Sequence, residues 1–275
     1  MCRVSGWLIY IGRKMKLNQG NNLNLNNLRS GNLKTEQITI NDSYLYLLVL
    51  FLIIDVFFMF AGWLHPNHFF TNENFDITRD RGYGEIFQYA KEFAIAFILF
   101  RVFKKTKDTI FIVWSLFFTY LLLDDSLKIH EIIGNAIASN LISTGPHIFN
   151  LRGQDFGELA VSAAVGTMFL LLFIRFFYTS MQVFKKVSFN LIALVILLLF
   201  CGIFVDMAHI ALPKVAGLNT LEDGGEMIVM SLIFWYVFNL FNHSPETAIS
   251  IINNSTINCA NFVFDHLYNL VNYLH

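Results

Sequence analysis

Charge is scarce in this chain: Asp, Glu, Lys and Arg make up 14% of its 275 residues, whereas hydrophobic residues make up 55% and Phe alone occurs 30 times. With a mean hydropathy of +0.53, that balance excludes an ordinary soluble domain of this size and indicates a multi-pass membrane protein. Cysteine is nearly absent. Cys2, Cys201 and Cys259 lie far apart without a CxxC pair, which excludes a disulfide framework. Cys201 falls inside an apolar run and reads as a small apolar residue. The first residues are not expected to act as a signal peptide, since Trp7-Leu8-Ile9-Tyr10-Ile11 is too short for its apolar region. The first membrane helix is therefore expected to direct insertion, with Met15 an alternative start. No internal repeat points to the paired halves of a transporter.

What is present is a series of apolar runs. A helix needs roughly 20 residues to cross about 30 Å of hydrocarbon, and the runs near 45–64, 86–103, 109–125, 156–178, 187–211 and 224–241 approach or reach that length. The expected fold is all-α, a six-span transmembrane helix bundle over residues 44–242. Residues 1–43 are Asn-rich and polar and are expected to be a disordered tail. A further helix is expected from Lys128 to about Leu141. In the C-terminal tail, 243–275, the residues Ile257, Ala260, Phe264, Leu267, Val271 and Leu274 draw one apolar stripe on a helix. The other face of that helix lacks Lys and Arg, so attraction to anionic lipid would not hold it on a membrane.

Basic residues alternate between connections. Arg3, Arg13, Lys14, Lys16, Arg29 and Lys34 precede the first run; Arg101, Lys104, Lys105 and Lys107 join the second to the third; Arg175, Lys185 and Lys186 join the fourth to the fifth. The opposite connections carry only Arg79, Arg81, Lys128, Arg152 and Lys214. By the positive-inside rule both termini are cytoplasmic, in the inner (plasma) membrane.

The acids then collect at the outer ends of the runs: Glu85 with Glu92; Asp124, Asp125, His130 and Glu131; Asp155 and Glu158; Asp206 and His209; Glu222, Asp223 and Glu226. Asp124 and Glu131 are seven apart, so on a continuous helix they share a face with Lys128 between them. Asp206 and His209 are three apart and Glu222 and Glu226 four, spacings that let side chains on adjacent turns reach one ion. Some of these acids have a plain structural explanation. Asp155-x-x-Glu158 and Thr220-x-x-Asp223 fit helix N-terminal capping, where the dipole favours negative charge. Asp124, Asp125 and Asp206 do not, because they fall toward helix C-termini, where the dipole opposes them. Insertion near hydrocarbon costs such a group about 1–3 kcal/mol more, depending on depth. A cation, Lys128 or Arg152, or a bound proton is needed to offset these costs. Lys91 can pair with Asp55, deepest in the first run, or with the acidic cluster, and a buried structural ion pair is expected; His65, His68 and His147 read as incidental.

Carboxylates with one or two imidazoles and no nearby thiolate suit Zn²⁺, Mn²⁺, Fe or Ca²⁺. The site expected from this pattern has Asp124, His130, Asp206, His209 and Glu222 as metal ligands, with Glu131, Glu158 and Glu226 as further ligand or general base. A metal with an open position makes a hydroxide from bound water near neutral pH, and at the outer boundary that hydroxide meets lipid headgroups. The function expected is a metal-dependent, lipid-directed hydrolase, with membrane lipids rather than nucleic acid as partners. A proton- or ion-coupled transporter would use the same groups as a relay; a haem protein would need His130 and His209 as axial ligands; a non-catalytic scaffold or sensor would use the acids to hold Ca²⁺ or the helix ends.

Ser126-x-x-x-His130, with neighbouring acids and a further Asp-x-x-His, resembles the ceramidase and progestin-receptor-like membrane metal hydrolases, which carry Ser, Asp and three His around zinc. The chain departs from them in its six runs and in lacking His-x-x-x-His in the last. Leu123-Asp124-Asp125 through His130-Glu131, followed by Leu221-Glu222-Asp223-Gly224-Gly225-Glu226, is more similar to bacterial multi-pass membrane proteins with an acidic Leu-Asp-(Asp/Glu)…His-Glu signature. That likeness spans roughly residues 80–240 and implies no established activity.

Overall fold

The computed structural model describes residues 42–64, 72–141, 151–212, 215 and 217–243, and every regular element among them is helical. In chain order these are α1 (Asp42–Leu64), a 3₁₀ turn (Glu73–Phe75), α2 (Tyr83–Thr106), α3 (Ile110–Leu127), α4 (Ile129–Leu141), α5 (Gly153–Phe177), α6 (Gln182–Leu199), a π-helical turn (Phe200–Val205), α7 (Asp206–Ala211) and α8 (Leu218–Asn242). The expected N-terminal tail up to Asn41 and the C-terminal stripe lie outside the described residues.

Among the described residues five helical stretches are long and apolar enough to cross a membrane: Tyr44–Leu64, Ile110–Leu127, Gly153–Phe177, Gln182–Ala211 and Leu218–Asn242. Helix α2, the second expected span, is 24 residues long but falls short on composition, because Glu85, Lys91, Glu92 and Arg101 interrupt its apolar surface.

Two of the helix breaks are local. Lys107 and Lys128 adopt left-handed backbone at φ 62° and 55°, so each ends its helix by turning its N–H onto the carbonyl four residues back, Phe103 and Asp124 respectively. The break at Lys128 separates the third run from the further helix expected after it, so Asp124 and Glu131 do not share the face that a continuous helix would give them. It swings α4 away from α3. Gly217, at φ 86°, opens α8, so Thr220 lies inside the first turn and caps nothing.

Helix α8 is the centre of the bundle, with α1, α2 and α6 packed around it. Its residues Met230, Ile233, Tyr236 and Val237 are buried against Ile95 and Leu99 of α2, Phe111, Trp114 and Phe118 of α3, and Val187 and Leu191 of α6. A few hydrogen bonds fix the register of this apolar core: Trp114 Nε1 to Ser188 Oγ at 3.1 Å, Ser115 Oγ to the Ala96 carbonyl at 2.8 Å, and Tyr236 OH to the Val187 carbonyl at 3.2 Å. Asp55 and Lys91 meet at 2.9 Å, both buried, and the Lys91 ammonium also donates to the Met227 carbonyl at 2.8 Å and to Ser231 Oγ at 3.2 Å. The expected ion pair is therefore real, and every Lys91 proton has an acceptor.

Helices α4 and α5 cross at two glycines. A Cβ on Gly157 would strike the Gly134 carbonyl oxygen, and one on Gly134 would lie 2.7 Å from the Glu158 nitrogen. Only hydrogen at both positions lets the backbones touch, and that contact brings Glu158 against α4. At the opposite end of the bundle, Asp108 accepts from the Ile110 N–H at 3.1 Å, Ser180 Oγ at 2.7 Å and the Met181 N–H at 3.3 Å. One carboxylate thus ties the α2–α3 connection to the α5–α6 connection.

Candidate metal centre

The end of the bundle opposite Asp108 collects the acids. There α2, α5 and α8 begin and α3 and α7 end, so most of the titratable groups noted in the sequence, though not Asp155 or His209, line one cavity of about 1050 Å³. Its polar wall includes Gln88, Glu92, Asp124, Asp125, His130, Glu131, Glu158, Asp206, Glu222, Asp223 and Glu226. Its apolar wall descends through Tyr120, Phe169 and Val195 to Trp114 and Phe173, about 15 Å down α3 from Asp124 at the helical rise per residue. Leu170 and Ile196, which also line it, are 57% and 62% exposed. At apolar depth the cavity thus reaches side chains that also face outward from α5 and α6.

Asp206, His209 and Glu222 offer ligand atoms that all lie within 4.8 Å of one another, the one such group among the described residues. His209 Nδ1 stands 3.4 Å from a Glu222 oxygen. The three come from α7 and the first turns of α8, and the π-helical turn at Phe200–Val205 sets the phase of the pair on α7. A π turn offsets everything beyond it from the preceding helical face. Apolar periodicity carries no mark of that offset, and only Gly202 hints at it: a Cβ there would collide with a Glu226 carboxylate oxygen.

His130 and Asp124 form a separate pair. Asp124 accepts from the His130 backbone N–H at 2.9 Å, and its second oxygen lies 3.1 Å from His130 Nδ1. Asp124 therefore caps α4, a role hidden from sequence because it depends on the break at Lys128. This hydrogen bond, more than any other influence, raises the His130 pKa above the usual imidazole value; the charges of Glu158 and Asp125 add to it and burial opposes it. Lys128 is ion-paired with Asp80 and lies 3.3 Å from Glu131, and the Asp80 contact is the main reason its pKa is raised. Glu131 is thus tied to Lys128 rather than to Asp124.

Glu158 accepts from Gln154 Nε2 at 2.7 Å and faces both His130 and Asp206. Asp155, three residues into α5, accepts from the Arg152 N–H at 2.6 Å and pairs with its guanidinium at 2.8 Å, raising the Arg152 pKa. Asp155 is a structural acid, as its N-terminal position suggests. Glu226 accepts from Gln88 Nε2 at 3.2 Å. Sequence reasoning missed Glu92 as a site residue: it is fully buried, lines the cavity, and neither of its carboxylate oxygens has a hydrogen-bond donor. Its depth relative to the other acids is the signal that could have found it. His65, His68 and His147 lie outside the described residues.

These features define an all-helical bundle with five membrane-capable helices and a carboxylate–imidazole group at one end of an amphiphilic cavity. The chain belongs to the family described as domain of unknown function DUF8692, whose model matches residues 44–240. No curated protein and no solved structure matches it, so the likeness to ceramidase-type hydrolases finds no support, and the triad holds one His rather than three.

Proposed function

We propose that the chain is a six-span integral membrane protein, α2 being the sixth span, and that it is a metal-dependent hydrolase acting on membrane lipid. Both termini are cytoplasmic in this reading, since Lys104, Lys105, Arg175, Lys185 and Lys186 sit at the end opposite the acids. Two features support α2 as a span: its length, and the internal neutralisation of Lys91 by Asp55.

The observation that carries the catalytic reading is the approach of Asp206, His209 and Glu222 to within 4.8 Å of one another beside a cavity with acidic and apolar walls. Two carboxylates and an imidazole suit Zn²⁺, Mn²⁺ or Fe²⁺, and such a metal with an open position activates water near neutral pH. Glu158, which faces Asp206 and is held by Gln154, is the general base favoured by the geometry over Glu131, which is engaged with Lys128. Leu170 and Ile196, which line the cavity and also face outward, mark where acyl chains would enter from the bilayer, leaving the headgroup at the acidic end.

Metal analysis of the purified protein tests this. One equivalent of Zn, Mn or Fe should co-purify, and the Asp206→Asn and His209→Ala variants should lose it while staying folded. Folded wild-type protein without metal, hydrolysing no lipid, would remove the reading. A second reading, ion- or proton-coupled transport, draws on the unpartnered Glu92; it requires pH-dependent flux in reconstituted vesicles that disappears in Asp124→Asn.

A further inference from the structure

Deeper in the same cavity lies a second set of oxygens whose chemistry differs from that of the triad. Glu92 is 0% exposed, and both of its carboxylate oxygens are buried without a donor. The Asp125 carboxyl lies within hydrogen-bonding reach of it, an approach that two carboxylates make only around a shared proton or a cation, and the Glu226 carboxyl faces both. Lys91 is the neighbouring cation on the Glu92 side, but its three protons go to Asp55, the Met227 carbonyl and Ser231 Oγ. His130 faces Asp125 but is bonded to Asp124. Gln88 Nε2 is spent on Glu226. Three carboxylates thus meet, Glu92 fully buried and Asp125 and Glu226 half-buried, where the nearby donors are already committed. Burying such charge without a partner costs several kcal/mol.

We infer that Glu92, Asp125 and Glu226 form a second cation site, for a hard divalent ion of the Mg²⁺ or Ca²⁺ class. The donors are oxygens alone, which disfavours the softer metals suited to the triad. As a set they do not close to within the 4.8 Å that the triad reaches. That spacing fits an ion that keeps water between some of its ligands, as Mg²⁺ commonly does. The π-helical turn and its Gly202 belong to this site, because any larger residue at 202 would push the Glu226 carboxylate out of the space it occupies. The site does not depend on the triad holding metal or on lipid hydrolysis.

The test is equilibrium binding of radioactive Ca²⁺, with Mg²⁺ as competitor, to the full chain in detergent, alongside Zn²⁺ binding. Wild type should bind Ca²⁺ displaceably by Mg²⁺. Glu92→Gln should weaken that binding by about tenfold or more and leave Zn²⁺ binding intact, while His209→Ala should do the reverse. Should Glu92→Gln fail to fold, Asp125→Asn serves in its place, with the same expectation. Wild type that binds no Ca²⁺, or Glu92→Gln protein that binds it as wild type does, overturns the inference; so does loss of both metals together in His209→Ala, which would mean a single site. Failure of Zn²⁺ to bind any variant, with Ca²⁺ binding still governed by Glu92, would sink the hydrolase reading and leave this site standing.

Discussion

At the residue scale, the Asp55–Lys91 pair shows how much a charge in this bundle depends on its partner. Both side chains are at most 1% exposed, so removing one leaves an uncompensated buried charge. Asp55→Asn or Lys91→Met alone should destabilise the protein by about 3–5 kcal/mol, whereas the double variant should recover most of that; thermal unfolding in detergent reads the difference. His130 gives a pH signature. Its pKa is raised in the folded protein, chiefly by the hydrogen bond to Asp124. Its contribution is therefore fully present below the ordinary imidazole value, near 6.5, and is lost as pH rises through the higher folded value. The stability advantage of wild type over His130→Gln should shrink as pH climbs above that point, measured as the difference in Tm across a pH series. A constant or growing advantage would contradict the Asp124 pairing.

At the element scale, glycine decides where helices touch. Gly157→Ala would drive a methyl group into the Gly134 backbone, which cannot yield as a side chain can, and should cost about 1–3 kcal/mol by overpacking, seen as a lowered Tm. Gly202→Ala meets only the tip of the Glu226 side chain. It should leave Tm within a degree or two of wild type, a smaller shift than about 1 kcal/mol would give a chain of this length, while disturbing cation binding. The contrast separates packing glycines from one that makes room for a ligand group. Sequence periodicity located the helices well: the run expected at 156–178 is helix 153–177, and that at 109–125 is helix 110–127. Acid spacing was a poorer guide. Glu131 lies seven residues from Asp124 yet pairs with Lys128, because one left-handed residue redirects the chain. Asp206 and His209, by contrast, lie within a single continuous turn of helix, and their three-residue spacing was readable directly. The approach of Glu222 and the burial of Glu92 arise from tertiary packing, which local spacing does not encode.

At the scale of the whole molecule, the bundle is polar in the directional sense, with most acids at one end and most Lys and Arg at the other. Single cysteines introduced at Glu73 and at Lys185 in a chain whose own cysteines are replaced should label differently with an impermeant maleimide in intact cells: the first should react and the second should not. The reverse pattern would turn the cavity toward the cytoplasm and remove headgroups of the outer leaflet as its target.

The Asp108 clasp has a bearing on traffic through the protein. The cavity stops at Trp114 and Phe173, short of the basic end, where the clasp fastens two connections, so among the described residues the chamber is a blind vessel with a mouth but no drain. Anything that enters must leave by the way it came.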